Sequence, residues 1–333
     1  GFKLWSNLFR MVGRQMLLNE RLGIRYPIIQ GAMANIANAQ FAACVSNHGA
    51  LGVIATGGMS VERAREEIRT CKQRTKQPFG VNVMLMHPDV QAMIDMICEE
   101  QVAVVTCGAG NPGKYVKQLK ASHALVFPVV PSVAMAKRLE RSGVDGVIVE
   151  GGESGGHVGE QTTMALVPQV CDAIDIPVVA AGGIADGRGF IAALALGAIG
   201  IQIGTCLLVA DECPIHENYK QAVIRAKDTD TIVTGRSQKT PVRILKNAMS
   251  REYLKLEREA ADREALEKLT LGGLRRAVIE GNMKTGSVMM GQIAGLVHET
   301  KPLARILDDL MRDAHDQYQI LQDKMENLPC SSH

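Results

Sequence analysis

The feature that most constrains the fold is a series of eight short apolar runs that recur along the first 204 residues. The runs are continuous rather than alternating, which is typical of parallel strands buried on both faces. They are Pro27–Gln30, Leu51–Ile54, Gly80–Met84, Val102–Thr106, Leu125–Val130, Gly146–Val149, Pro177–Ala181 and Gly200–Gly204.

Helical patterns, such as Ser60–Arg74 and Thr163–Ala173, fill the gaps between the runs. Eight strands that alternate with helices predict an α/β fold, a closed (β/α)8 TIM barrel. An open doubly wound sheet is the alternative. No G-x-G-x-x-G fingerprint opens the chain, which favours the barrel.

The composition and pattern of the sequence change after the eighth run. Residues 211–280 are charged and mostly helical in pattern, with one β-type run at Thr231–Thr234. They predict a small substrate or lid domain inserted after strand eight. The barrel would then comprise residues 17–210 and 281–333. Residues 1–16 are interpreted as a leader, non-native or translated from an upstream start, with Met16 as the natural start.

Composition excludes several classes of function. A net charge of +2 and 4% aromatic residues offer neither a basic field nor stacking platforms for nucleic acid. The eight cysteines contain no C-x-x-C pair, so they indicate neither zinc nor a disulfide framework and fit a reducing cytoplasm. No apolar run approaches the ~20 residues of a membrane-spanning helix. We therefore expect a cytoplasmic protein without a metal site.

Barrel enzymes build their sites from the loops that follow the strands. Small glycine-bearing loops follow runs seven and eight, and together they predict a phosphate cradle at Gly182, Gly183, Gly204 and Thr205. A flavin mononucleotide (FMN) suits such a cradle. Its ring would lie against Gly31, Ala32 and Met33, with Asn82 and Glu150 placed to bond a ring edge or a ribityl hydroxyl. A phosphosugar would also fit, so this alternative stays open.

A second glycine-rich loop follows the sixth run and ends at Gly155-Gly156-His157. Its glycines allow a ligand to approach the backbone, and His157 adds a group that can transfer a proton. The remaining residues that we predict to contact the cofactor are Gln30, Gly155, Gly156, Ala181, Gln202 and Ile203.

Taken together, these motifs resemble the enoyl-acyl-carrier-protein reductase II family. The resemblance rests on YPIIQGAM (26–33), KQPFGVNVML (76–85), TCGAGNP (106–112), GGHVGEQTTM (155–164), IPVVAAGGIADGRG (176–189) and GSVMMGQIAGLV (286–297), in order along the chain. Nitronate monooxygenases are broader relatives with the same barrel, and they are the alternative.

The resemblance implies a cofactor, a reaction and partners. It implies FMN, NADH or NADPH as reductant, a possible monovalent cation, and an enoyl chain carried by acyl carrier protein in bacterial fatty-acid synthesis. It implies a homodimer. His157 would act near the thioester carbonyl as donor or proton source. The residues expected in the substrate pocket are His87, Ser287, Met290 and Gln292.

Basic side chains in the insert offer a possible contact for an acidic carrier protein. Lys239, Arg243 and Lys246 would share one stripe if this segment were helical. A solvated helix face is the alternative interpretation.

Overall fold

A computed structural model describes residues 15–108 and 110–329. Eight parallel strands form one sheet, in the order β1-β9-β8-β6-β5-β4-β3-β2. A parallel bridge between Ile29 and Leu51 joins the two end strands and closes the sheet into a barrel. The barrel strands are β1 (Ile28–Gln30), β2 (Gly52–Ala55), β3 (Phe79–Met84), β4 (Val104–Gly108), β5 (Leu125–Val130), β6 (Val147–Glu150), β8 (Val178–Ala181) and β9 (Gly200–Ile203).

Each of the eight predicted runs is a strand, so the predicted TIM barrel is confirmed. The helices between the strands begin where capping residues predict: Ser60 accepts a hydrogen bond from the Arg63 N–H, and Asp186 accepts one from the Arg188 N–H. These helices are α2 (Ala39–Asn47), α3 (Val61–Arg74), α4 (Val90–Glu99), α5 (Gly113–Ala121), α6 (Val133–Arg141), α7 (Thr163–Ala173) and α8 (Gly187–Ala195).

Two layers of apolar side chains hold the barrel together. The larger layer lies between the strands and the surrounding helices. The smaller one includes Ile29, Val104, Phe127 and Val179, which alternate with residues of the outer layer and so fill the barrel interior. The short helix α1 (Leu18–Leu22) packs its buried Leu18 into the interior layer, and the Leu18 N–H donates to the Ile199 carbonyl at the start of β9. Helix α1 therefore plugs the end of the barrel opposite the loops that follow the strands.

The segment after β9 contains a small sheet as well as helices. Its elements are α9 (Glu217–Arg225), β10 (Thr231–Thr234), β11 (Val242–Leu245), α10 (Ala248–Arg258), α11 (Arg263–Thr270) and α12 (Gly273–Val278). The barrel then closes with α13 (Leu303–Glu326), which packs against α8. The boundaries of the insert at 211 and 280 stay a prediction, and most of the proposed leader lies outside the described residues.

The three-stranded sheet connects the insert to the barrel. Strand β11 pairs antiparallel with β10 on one side and with β7 (Gly156–His157) on the other. The interpretation of Lys239, Arg243 and Lys246 as a helical stripe is wrong, because β11 is extended and successive side chains in a strand point to opposite faces.

None of the helices within the described ranges combines the length and the apolar character that crossing a membrane requires.

Candidate active site at the barrel mouth

Parallel pairing brings the predicted cofactor residues to one rim. Gln30 lies opposite Ile203, and Ala181 lies opposite both Glu150 and Gln202. Because all eight strands point the same way, their carboxyl ends meet at this rim, which we call the barrel mouth. Gly31 extends the pairing, since its N–H donates to the Ile203 carbonyl at 2.8 Å.

Gln30 has a structural role at this rim. Its side chain is fully buried; Oε1 accepts from the Val53 N–H at 3.0 Å, and Nε2 donates to the Val53 carbonyl at 3.1 Å and to the Gly31 carbonyl. The amide thus replaces a ladder hydrogen bond between β1 and β2, where the barrel closes. Nε2 and Oε1 are both engaged, so Gln30 holds the first loop in place.

The loops after β8 and β9 leave backbone donors free. Gly182 and Gly183 have φ angles of +92° and +75°, a region that favours glycine. Among the described residues, no acceptor is found for the N–H groups of Gly182, Gly183 or Gly204. Met33 lies beside this loop, since a Cβ placed on Gly204 would be 3.7 Å from its sulfur. Free N–H groups on adjacent loops are the donors that a phosphate requires.

The loop that follows β6 packs tightly on the same rim. A Cβ on Gly182 would lie 2.8 Å from the Gly151 carbonyl oxygen, and a Cβ on Gly155 would lie 2.7 Å from the Met290 carbonyl carbon. Both Glu153 carboxylate oxygens accept from the Thr163 N–H at the start of α7. The glycines predicted from the sequence are therefore needed for close backbone approach as well as for any ligand.

Two polar side chains at the strand ends have distinct surroundings. The Asn82 amide donates to the Thr106 hydroxyl at 2.8 Å across β3 and β4. Burial raises the pKa of Glu150 to about 7, against a smaller opposing effect of the Ser154 hydroxyl. Glu150 is thus a carboxyl group at the barrel mouth that changes its charge near neutral pH.

His157 sits where the barrel loop meets the insert. It lies in β7 opposite Val242 of β11, and the next N–H, that of Val158, donates to the Pro241 carbonyl. Its side chain is partly exposed and lines a cavity, and partial desolvation lowers the pKa of the imidazole. His157 is therefore a neutral imidazole at pH 7.

The cavity has a volume of about 390 Å³ and lies between the small sheet, the insert helices and the end of the barrel. Apolar side chains make up much of its lining. Its lining includes Asn35, His157, Thr234, Val242, Ile244, Met249, Tyr253, Leu274, Arg275, Ser287 and Met289. Ile244, Met249 and Tyr253 of this lining also pack with Leu266 in the apolar core of the insert.

The predicted pocket residues divide into two groups. Ser287 lines the cavity, whereas Met290 is buried against Gly155 on the barrel side. Met289 lines the cavity instead and forms an antiparallel bridge with Ile244. Alternation explains the difference: in an extended segment residues 287 and 289 face one side, while residues 288 and 290 face the other. Met290 is therefore one residue away from the side chain that lines this cavity, and its role in a substrate pocket stays a prediction.

Two other predicted pocket residues lie away from the cavity. The His87 ring is held at both nitrogens, because Nδ1 accepts from the Asp89 N–H and Nε2 donates to the Met59 carbonyl at 2.7 Å. Gln292 is an exposed residue whose N–H donates to the Glu153 carbonyl. Both residues shape loops at the barrel mouth, and neither side chain is part of the cavity lining.

Sequence reasoning missed the residues that only docking of the insert brings to the site. Tyr253 and Leu274 come from its helices, and Arg243 of β11 donates to the Gly152 carbonyl. The β-branched Val242 and Ile244 on either side of Arg243 were the available signal for a strand here.

Comparisons with known proteins agree with this architecture. The sequence profile described as nitronate monooxygenase matches residues 15–313. A probable nitronate monooxygenase of Staphylococcus saprophyticus is 32% identical over 89% of this chain and 96% of its own length. A (3aS,4S,5R,7aS)-5-hydroxy-7a-methyl-1-oxo-octahydro-1H-indene-4-carboxyl-CoA dehydrogenase of Rhodococcus jostii is 30% identical over 89% of this chain and 95% of its own length.

Among solved structures, FabK from Thermotoga maritima superposes with a TM-score of 0.90 and 42% identity, covering 93% of this chain and 99% of that one. The nitroalkane oxidase of Streptomyces ansochromogenes superposes with a TM-score of 0.81 and 27% identity, covering 90% of this chain and 98% of that one. The predicted resemblance to a flavin-dependent enoyl reductase is confirmed as a resemblance. The chain belongs to the nitronate monooxygenase family, whose members are flavin (FMN) oxidoreductases.

Proposed function

We propose that this protein uses FMN and NADH or NADPH to reduce trans-2-enoyl thioesters carried by acyl carrier protein. The observation that carries the proposal is the cavity of about 390 Å³, whose largely apolar lining includes His157. An apolar wall suits the hydrocarbon chain of a thioester, and a positioned polar group suits its carbonyl.

Two relatives support thioester chemistry. FabK, the reductase whose structure resembles this chain at 42% identity, belongs to the family that the sequence motifs indicate. The relative from Rhodococcus jostii is named as a dehydrogenase of a carboxyl-CoA, which is also a thioester. Both therefore favour an acyl thioester as the substrate class.

The barrel mouth fits FMN. The free N–H groups of Gly182, Gly183 and Gly204 would hold the phosphate, and Gly31, Ala32 and Met33 would border the ring. Asn82 and Glu150 are the polar groups available to its edge. Hydride chemistry is what the flavin supplies when it is bound. The protein's own residues bind, orient and exclude water.

The reaction balances with one hydride and one proton. The hydride, which comes from NAD(P)H, forms the new C–H bond at the β-carbon as the π bond of C=C breaks. The α-carbon takes a proton from solvent, and the products are the saturated thioester and NAD(P)+. A neutral His157 can donate its one ring N–H to the thioester carbonyl oxygen, where negative charge develops, because its lowered pKa favours the form with one protonated nitrogen.

A nitronate monooxygenase is the second candidate. The family profile and the curated relative from Staphylococcus saprophyticus, 32% identical, both carry this name. Such an enzyme would use the same barrel mouth but would need a nitronate and oxygen instead of an enoyl thioester.

An anaerobic half-reaction separates the two candidates. The flavin of the purified protein is bleached with NAD(P)H, crotonyl thioester is added, and the yellow absorption band is followed. Prompt return of the colour is the expected result. A flavin that stays bleached until a nitronate or oxygen is admitted would overturn the proposal and favour the monooxygenase.

A further inference from the structure

We propose that Arg243 is a positioning residue that fixes the loop carrying His157, here called the His157 loop (residues 151–162). The proposal rests on the proposed function, in which His157 acts on the substrate. Arg243 belongs to the insert, and its contact with the loop spans 91 residues of sequence.

The guanidinium of Arg243 holds the first half of the His157 loop. Nε and Nη2 both donate to the Gly152 carbonyl, at 3.0 and 2.8 Å. Nη1 donates to the Thr231 hydroxyl at 3.1 Å, which ties the same group to β10. A planar guanidinium can donate to the Gly152 carbonyl and to the Thr231 hydroxyl at the same time. A lysine ammonium lacks this fixed planar arrangement of donors.

The His157 loop needs such an anchor because its chain is intrinsically free. It contains five glycines, Gly151, Gly152, Gly155, Gly156 and Gly159, and glycine loses the most conformational freedom on ordering. Backbone pairing between β7 and β11 covers only two residues on each strand. Arg243 itself lies opposite Gly156 in that pairing, so one residue fixes both the start of the loop and the residue before His157.

Charge supports the same arrangement. Burial lowers the pKa of Arg243, while the nearby Glu153 carboxylate opposes that effect and Arg236 adds to it; the guanidinium remains charged at neutral pH. Glu153 in turn caps α7 through the Thr163 N–H. The loop is thereby held between the insert and a barrel helix, with His157 near its middle.

The test compares substitutions of Arg243 with substitutions of Arg236. Arg236 is the matched control, because it also reaches from the insert to the His157 loop, pairing with Glu160, but both partners are exposed. A displacement of about 1 Å at a reacting group can lower turnover by ~10²-fold. We expect R243M to lower kcat per bound flavin by about 10- to 100-fold, R243K to recover part of that loss, and R236M to stay within about twofold.

Two readouts distinguish positioning from general damage. Amide hydrogen exchange at residues 152–157 should be faster in R243M than in R236M, while exchange in the barrel strands stays unchanged. The acid limb of kcat/KM should move to higher pH in R243M, since opening the loop to water returns the pKa of His157 towards that of an ordinary histidine. If R243M loses its flavin, hydrogen exchange and the pH dependence of kcat/KM are measured on R243K instead.

The outcomes separate the two proposals. If the unsubstituted protein does not reduce crotonyl thioester, the proposed function fails, and hydrogen exchange alone still decides the role of Arg243. If R243M and R243K match R236M in turnover, in exchange at 152–157 and in the pH limb, the positioning role is overturned.

Discussion

The barrel mouth and the cavity wall are neighbouring regions that are held together in different ways. At the mouth, backbone lies against backbone: Cβ atoms on Gly182 or Gly155 would come within 3 Å of the main chain of Gly151 or Met290. At the wall, side chains of the insert, such as Tyr253 and Met249, line the same cavity as His157. The mouth therefore has no room for a Cβ at Gly182 or Gly155, whereas the size of the side chains around the cavity sets the shape of the space they enclose.

The difference separates two kinds of function. A site built from backbone binds a constant ligand, because main-chain N–H groups do not depend on residue type. A wall built from side chains can be adapted to different acyl groups. Substitutions at the mouth should therefore affect stability and flavin retention, and substitutions at the wall should affect turnover.

The largest effect is expected at the cavity. His157→Ala should lower turnover per bound flavin by ~10²–10³-fold, the range typical of a lost hydrogen-bond donor to a developing oxyanion, and should leave the flavin content unchanged. Stopped-flow measurement of the oxidative half-reaction checks this, with His87→Ala as the control because both of its ring nitrogens serve loop contacts. A variant that loses flavin but keeps its turnover per flavin would show that His157 belongs to the mouth.

At the mouth, Gly182→Ala should destabilise the protein by ~3 kcal/mol, because it adds a clash with the Gly151 carbonyl to the strain of φ +92°. Gly58→Ala is the control. Gly58 also has positive φ (+79°), but nothing lies within 4 Å of its Cβ position, so ~1 kcal/mol is expected. Denaturant unfolding of both variants measures the difference. Equal losses of unfolding free energy in the two variants would mean that the close contact between Gly182 and Gly151 does not contribute to stability.

Glu150 should make the stability of the mouth depend on pH. Its pKa is raised from 4.5 to about 7, so between these values the native state holds a proton that the unfolded chain has released. Stability therefore falls as pH rises through this window. Glu150→Gln should be more stable than the parent by roughly 3 kcal/mol at pH 8 and equal to it below pH 4.5. Thermal unfolding at several pH values checks this, and a difference independent of pH would contradict it.

The smallest effects are expected on the outer surface of the insert. Lys239 and Lys246 are exposed and share no stripe with Arg243. Their replacement by alanine should change KM for a carrier-linked enoyl substrate by less than about twofold, because exposed single charges contribute little. Parallel assays with carrier-linked and short thioesters measure this. A rise in KM confined to the carrier-linked substrate would instead support the hypothesis that these lysines contact the carrier protein.

The sequence predicted the barrel strands and the glycines of the mouth because both are local signals. A buried strand is recognised by its own residues, as in Gly146–Val149, and a tight turn by its own glycines, as at Gly182-Gly183. The cavity is not local. It needs the insert to fold onto the His157 loop, and neither segment alone indicates which of its faces will be covered.

Met289 and Arg243 are two residues whose place in the site could not be predicted from the sequence. The segment 286–292 was recognised, but the face that lines the cavity depends on which residue bridges Ile244 of β11. From the sequence, Arg243 is predicted to be a surface charge. In the structure its strand packs beside the His157 loop, and its guanidinium donates to the Gly152 carbonyl. By itself, the sequence determined the (β/α)8 barrel and the glycine loops at its mouth, since these follow from short-range pattern and backbone geometry. Only the tertiary structure decided the cavity and its anchor, because contacts 91 residues apart depend on how whole segments dock.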